Sequence, residues 1–295
     1  MISPADYMDN FNESKVLGRR SPDKALGREE RDIDIRPALL RLQREKVLVT
    51  GAAGAVGMPL VSALRDGGVR VIPTDVDTSA PWGCTYMDVT DFRSVLEVVA
   101  FHEPTIIINL AAAKLAPAGE AEPWRAASIN TVGVKHLLDM GRRVVQASTC
   151  KAIEPETTYG ASKLISERMV LNQGGTVVRY VNIPECGPSV LTIWDKLPPD
   201  EPLPVTPCAR YFMTFKEAVA LTLWAAVLEP GRYKLDSGDR LPMDRYAELL
   251  WPGRSWVPVP MRRGDRQSEP SHGLHERLEA SDVPYIFRVR SNHDE

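Results

Sequence analysis

Tyr159-Gly160-Ala161-Ser162-Lys163 sets a phenol and a primary amine four residues apart. On a helix, positions i and i+4 share a face, so both groups can enter one cleft. An ammonium beside a phenol favours phenolate, which turns a group titrating near 10 into a usable base at neutral pH. Alone, the spacing fits a solvated surface pair as well. Its position argues for chemistry. Ser148-Thr149-Cys150-Lys151 lies just upstream, at the end of the apolar run Arg143-Val144-Val145-Gln146-Ala147-Ser148. That run reads as a parallel strand, and wound sheets build their ligand crevice at the carboxyl ends of such strands.

A second constellation is Val47-Leu48-Val49-Thr50-Gly51-Ala52-Ala53-Gly54-Ala55-Val56-Gly57. Apolar residues lead into G-x-x-G-x-x-G and then an Ala/Val/Leu-rich helical pattern, which predicts strand, tight turn and helix N-terminus. The first glycine permits the turn, the second lets a pyrophosphate approach the backbone, and the third lets helix and strand pack closely. Three glycines alone could mark a plain turn. A second strand, Val69-Arg70-Val71-Ile72-Pro73-Thr74, however, ends on Asp75, about where a carboxylate for a ribose diol is expected. A carboxylate there would repel a 2′-phosphate, so NAD is expected rather than NADP.

The elements that must position these groups alternate strand and helix from Glu45 onward. Further strands are expected at Thr85–Val89, Thr105–Leu110 and Thr176–Tyr180, with helices over 91–102, 123–140 and from Tyr159. This predicts an α/β, Rossmann-type doubly wound parallel sheet. Beyond Asn182 the chain turns to proline-rich loops with isolated helices, which reads as a small C-terminal substrate-binding lobe rather than more sheet. Three parts result: an N-terminal extension over 1–44, partly disordered or laid across a neighbouring surface; a dinucleotide-binding domain over 45–182; and mostly lobe and tail over 183–295. No internal repeat is evident.

Composition excludes several classes. The chain has 295 residues, 43% hydrophobic and 25% charged, with net charge -3. No basic stripe stands out, so a nucleic-acid partner is not expected. Cys84, Cys150, Cys186 and Cys208 form neither C-x-x-C pairs nor a Cys/His cluster, and the five histidines form no ligand pattern. No metal site or disulfide framework is expected, and a cytoplasmic location follows. No apolar run reaches the roughly 18 residues that span a bilayer, and no secretion signal is read at the start; no membrane association is expected.

At this point the chain resembles the extended short-chain dehydrogenase/reductases. More narrowly it is similar to the polysaccharide-biosynthesis family of UDP-N-acetylglucosamine 4,6-dehydratases, over roughly residues 45–275. Ser148-Thr149-Cys150-Lys151-Ala152 with Tyr159-Gly160-Ala161-Ser162-Lys163 resembles its S-T-D-K-A…G-A-S-K block. Ala111-Ala112-Ala113-Lys114 with Pro117, Glu120 and Pro123 resembles A-A-x-K-x-x-P…E…P, and Asn130-Thr131-Val132-Gly133 resembles T-N-V-x-G. Arg210-Tyr211-Phe212-Met213-Thr214 with Glu217-Ala218-Val219 resembles R-F-F-M-T-x-x-E-A-V. Met261-Arg262-Arg263-Gly264-Asp265-Arg266 resembles the diphosphate-binding L-R-P-G-E-K. Leu17-Gly18-Arg19 resembles the segment before the catalytic domain in membrane-anchored members.

The resemblance implies cofactor contacts at Gly51, Ala53, Gly54, Ala55, Val56, Gly57, Asp75, Asp88, Val89, Leu110, Ala111, Ala112, Tyr159 and Lys163. Asp88 could equally cap the following helix. It implies a UDP-sugar substrate met by Lys114, Asn182, Ser189, Arg210, Arg262 and Asp265, and possible homo-oligomers. The implied chemistry starts with Tyr159, helped by Lys163 and Thr149, taking the proton of the sugar 4-hydroxyl as hydride leaves carbon 4 for NAD(P)⁺. The lysine matching Lys151 takes the proton of carbon 5, the acid before it expels the 6-hydroxyl as water, and hydride returns to carbon 6.

Two departures stand out. Position 150 is Cys, not Asp; a thiol of pKa about 8.5 holds its proton at pH 7 but is a weak hydrogen-bond donor. Cys150 is either the acid, a spacer in an enzyme that eliminates no water, or part of a redirected elimination. The family arginine in R-F-G-N-V-L-G-S-R-G-S-V falls on Gly187. A nucleotide-sugar 4-epimerase, which needs neither Cys150 nor Lys151, and a non-catalytic dinucleotide-binding protein are the alternatives.

Overall fold

The computed structural model describes residues 22–291, except residues 115, 185, 187, 188 and 262–264. Leu17-Gly18-Arg19, Gly187 and the expected diphosphate contact Arg262 thus lie outside the described residues.

Nine strands form one sheet: β1 Lys46–Thr50, β2 Arg70–Asp75, β3 Thr85–Tyr86, β4 Ile106–Asn109, β5 Arg143–Thr149, β6 Thr176–Tyr180, β7 Gly231–Leu235, β8 Glu276–Ala280 and β9 Ile286–Ser291. Their spatial order is β8-β9-β7-β6-β5-β4-β1-β2-β3. From β3 across to β7 every neighbouring pair is parallel, whereas β9 and β8 are antiparallel additions. The winding direction reverses between β1 and β4, which opens a crevice at their carboxyl ends. This is the Rossmann-type, doubly wound sheet expected from the alternating elements.

The continuous apolar strands are explained by burial on both faces. Val47, Val49, Ile106, Ile108, Val145 and Val178 face one core, shared with the helices Arg36–Leu42, Gly57–Asp66 and Phe215–Ala225. Leu48, Ile107, Val144 and Val177 face the other, shared with Phe92–His102, Gly133–Asp139 and Thr158–Asn172.

The expectation that the chain past Asn182 adds no sheet is corrected: β7, β8 and β9 extend it by three strands. Their charges hid them. In β7, Tyr233 and Leu235 enter the core while the intervening Arg232 and Lys234 are buried on the opposite face. There Arg232 and Arg179 of β6 meet two carboxylates. Glu167 lies 2.7 Å from Arg179 and 3.0 Å from Arg232, and Glu276 lies 2.7 and 3.4 Å from the same pair.

A smaller lobe has its own core around Leu191, Trp194, Phe212 and Tyr246, with the Phe212 and Tyr246 rings stacked at 4.5 Å. The described part of the N-terminal extension lies across both units. Ala25 and Leu26 enter the lobe core, and Ala38, Leu39 and Leu42 enter the sheet core. Leu-Gly-Arg recurs at Leu26-Gly27-Arg28. There Arg28 grips Glu217 with two hydrogen bonds of 2.7 and 2.9 Å.

Candidate active site

The glycine turn has the geometry its spacing implies. Gly51 has φ +65°, and a Cβ there would lie 2.7 Å from the Ala111 nitrogen. A Cβ on Gly57 would lie 2.1 Å from the Gly51 carbonyl oxygen, so the helix packs on the turn only because this residue has no side chain. The helix Gly57–Asp66 carries no side-chain N-cap, which leaves its first turn suited to an anion. Asp75, at the end of β2, accepts the Ala53 amide at 3.0 Å and so stands beside the turn. Asp88 accepts from the amide and hydroxyl of Thr90, while the cap of the next helix is Asp91; Asp88 is therefore not that cap. Val89 is buried against Gly133. Leu110 and Ala111 donate amides to the carbonyl and hydroxyl of Thr50, which ties the loop through Ala112 to the turn.

A buried chain of hydrogen bonds connects the turn to the other constellation. Thr50 donates to Asn109 at 2.5 Å, Asn109 to Gln146 at 2.7 Å, and Gln146 to the Ala147 carbonyl at 2.7 Å. Lys163 Nζ donates to that same carbonyl at 2.9 Å. The carboxyl ends of β1, β4 and β5 are thus joined laterally, and Lys163 is fixed at the last of them.

Tyr159 and Lys163 sit on the helix Thr158–Asn172, capped by Thr157, whose hydroxyl accepts the Gly160 amide. Glu120 accepts the Thr158 amide at 2.7 Å. Asn130 lies in a π-helical turn, Ser128–Val132, and binds both backbone groups of Ala113 as well as Ser162. Such turns recur at functional sites. Gly160 packs directly on the short turn Cys150–Ala152, where a Cβ would meet the Lys151 carbonyl oxygen at 2.3 Å. The helix and the 150–152 turn can therefore meet only with glycine at this place.

Electrostatics differ from what the four-residue spacing suggests. Burial pushes the Tyr159 phenol up to about 12, against the Lys151 charge and a Thr149 hydrogen bond that pull it down. The Lys151 ammonium favours the phenolate, while Lys163 is held on the Ala147 carbonyl. Burial lowers Lys163 to about 8, opposed by Glu167 one turn on.

The residue that sequence reasoning missed is Glu269. Its fully buried carboxylate lies 2.7 Å from Lys151 Nζ and 3.6 Å from Arg210 Nε. It accepts from the Cys150 thiol at 3.2 Å and from Asn182 Nδ2 at 2.8 Å. Asn182 also accepts from Lys151 at 3.1 Å. Burial opposes this charge, but Lys151 and Arg210 outweigh it and hold the Glu269 carboxyl below its usual range. Burial likewise opposes the Lys151 charge, yet the adjacent Cys150 and the Glu269 carboxylate raise its pKa. Burial first, then the Glu269 charge, pushes the Cys150 thiol up to about 12. Glu269 sits in the polar run Arg266-Gln267-Ser268-Glu269-Pro270, which has no periodicity to mark it.

The remaining expected substrate contacts are scattered over several elements. Lys114 is exposed and 3.1 Å from Cys186 Sγ. Ser189 caps the short helix Val190–Trp194 in a reciprocal box with Thr192, a structural role of its own. Arg210 is buried beside Glu269. Asp265 is half-buried, next to Arg266, which donates to the Ile153 carbonyl at 2.8 Å behind the 150–152 turn. Among the described residues no group of three His, Cys, Asp or Glu side chains is arranged to hold a metal ion. No helix among them is long and apolar enough to cross a membrane.

A wound sheet with a glycine turn at its switch point and a Tyr/Lys helix beside it defines a dinucleotide-fold protein of the short-chain dehydrogenase/reductase type. Within that class the chain belongs to the polysaccharide biosynthesis protein family, which matches residues 77–242. It is 28% identical to the probable polysaccharide biosynthesis protein EpsC of Bacillus subtilis, over 82% of this chain and 47% of that protein. It is also 28% identical to the capsular polysaccharide biosynthesis protein CapD of Staphylococcus aureus, over 79% of this chain and 45% of the relative. The chain thus spans about half the length of these curated relatives. Its fold is similar to that of Thermus thermophilus UDP-glucose 4-epimerase, solved in complex with NAD. The TM-score is 0.65 at 23% identity, covering 76% of this chain and 89% of the other.

Proposed function

We propose that this chain is an NAD-dependent nucleotide-sugar enzyme that removes water from a UDP-N-acetylhexosamine, a 4,6-dehydratase. The observation that carries the reading is the second lysine: Lys151, with Glu269 and Asn182 as partners, acts on Tyr159 from the turn that Gly160 admits. A 4-epimerase has work for Tyr159 and Lys163 but none for such a lysine.

The glycine turn, its uncapped helix and Asp75 fit a nicotinamide dinucleotide, which would take up and return the hydride that this chemistry exchanges. Asp75 favours NAD over NADP. Tyr159 takes the proton of the sugar 4-hydroxyl, with Thr149 orienting the phenol and Lys163 anchored at Ala147. The resulting ketone acidifies the neighbouring carbon-bound proton, which is assigned to Lys151, and the carbon–oxygen bond at carbon 6 breaks as the 6-hydroxyl takes a proton from Cys150 and leaves as water. Because Lys151 is an ammonium in the resting protein, it must first lose a proton, so the rate should climb with pH above neutrality. Arg210, Arg262 and Asp265 are assigned to the nucleotide diphosphate and ribose, with Lys114, Asn182 and Ser189 toward the sugar.

Cys150 favours a second reading. A thiol held near 12 gives up its proton less readily than an ordinary one, and an epimerase needs no acid there. Incubation with UDP-N-acetylglucosamine and NAD, followed by product mass, separates the two. Loss of one water supports the dehydratase; unchanged mass with a new hexosamine supports the epimerase. Cys150→Ala should keep cofactor binding and lose dehydration if the thiol is the acid; dehydration at the native rate would remove it from that role.

A further inference from the structure

We propose that Glu269 is a positioning residue of this site, whose carboxylate holds the proton on Cys150 and the charge and place of Lys151, supplying from the C-terminal segment the carboxylate that position 150 lacks. The inference rests on the dehydratase reading for its consequence in catalysis, but its geometry stands apart from that reading.

One carboxylate oxygen of Glu269 faces Lys151 at 2.7 Å; the other receives the Cys150 thiol at 3.2 Å and Asn182 at 2.8 Å. Neighbouring residues of one turn are thus tied to a single group 119 positions downstream. A carboxylate sealed from water is costly unless matched by charge and hydrogen bonds, and here every partner is a residue of the candidate site. The side chain has no outlet to solvent, being 1% exposed, whereas Lys151 is 24% exposed. Glu269 therefore acts on a reactant only through Lys151 and Cys150. The titratable groups facing it are Lys151 and Cys150 from the turn after β5 and Arg210 from the lobe. Tyr159 acts in turn on Lys151, and Cys150 on Lys234, through space.

Two readouts test this on the full chain. The first needs no turnover: thiolate absorbance is titrated as the difference between the native chain and Cys150→Ser. Native Cys150 should stay un-ionised through pH 10, and ionisation near the free-thiol value would overturn the proposal. In Glu269→Gln the ionisation should move toward acid by about one unit, a tenfold gain in thiolate at fixed pH. An unmoved curve in that variant would assign the shift to burial alone and overturn the proposal. Should Glu269→Gln not fold, Glu269→Asp serves. It keeps the charge but draws it back, and the same acid shift, smaller, is expected; no shift overturns the proposal. The second readout is the pH–rate profile. Its rising limb, set by Lys151 and Tyr159 losing protons, should shift toward acid in Glu269→Gln, in which Lys151 loses its partner charge, which a purely structural defect would not produce. If the native chain removes no water from the sugar nucleotide, the dehydratase reading fails while the thiol titration still decides the role of Glu269.

Discussion

Two buried charge clusters flank β5 and β6, one around Glu167 and one around Glu269. In the first, two arginines meet two carboxylates, and each carboxylate touches both guanidinium groups. Arg179 is 3% exposed. The charges balance, the cluster is sealed, and it fastens the Tyr159 helix to β6, β7 and β8. In the second, one carboxylate faces Lys151 and Arg210, and Lys151 remains partly open. That cluster carries an excess positive charge and has an exposed member. A matched, closed network holds structure; a mismatched, open one can exchange partners when a charged reactant arrives.

The contrast breaks most readily at Glu167. Glu167→Ala should strand Arg179 and Arg232 in the interior and cost about 3–5 kcal/mol, read by urea unfolding, with cofactor binding lost alongside folding. A cost under about 1 kcal/mol, on the surface-pair scale, would mean that the cluster is not a fastener.

Lys163 sharpens the comparison, since it is a buried amine whose hydrogen bond goes to a carbonyl rather than a carboxylate. Its pKa falls from 10.5 to about 8 on folding. Between those values the unfolded chain binds more protons, so native stability should rise with pH across that window. Lys163→Met should abolish this rise and stabilise the fold near pH 7 by about 2–3 kcal/mol, while removing catalysis. Thermal melts at pH 7 and 10 would show it; equal pH dependence in both proteins would contradict the lowered pKa.

The smallest effect is expected at Gly160. A methyl group there must displace the Lys151 backbone, at a cost of about 1–3 kcal/mol. Gly160→Ala should disturb the open cluster and leave the closed one intact. Activity should fall more than stability; an unchanged rate would show that the turn and helix tolerate separation.

Much of the framework was legible because it is local or periodic. The apolar runs of β1, β4 and β6, the glycine turn ending toward Asp75 and the Tyr159 helix all announce themselves within short windows. The C-terminal strands did not, because β7 carries Arg232 and Lys234, buried charges whose partners lie far along the chain: Glu167 and Glu276 for Arg232 and the Ser271 carbonyl for Lys234. Asp88 fitted both a cofactor contact and a helix cap in the sequence, and the structure gives the cap to Asp91, three residues later. Glu269 was invisible for a related reason: nothing around it in the chain signals burial.

The amino-acid order by itself determined the wound sheet, the dinucleotide-type turn and the presence of a phenol and amines at one strand end, since these follow from local sterics and side-chain period. Only the tertiary structure decided which charges meet. It brought Glu269 to Cys150, Lys151 and Arg210, because electrostatic interaction depends on distance and burial through space, and separation along the chain reports neither.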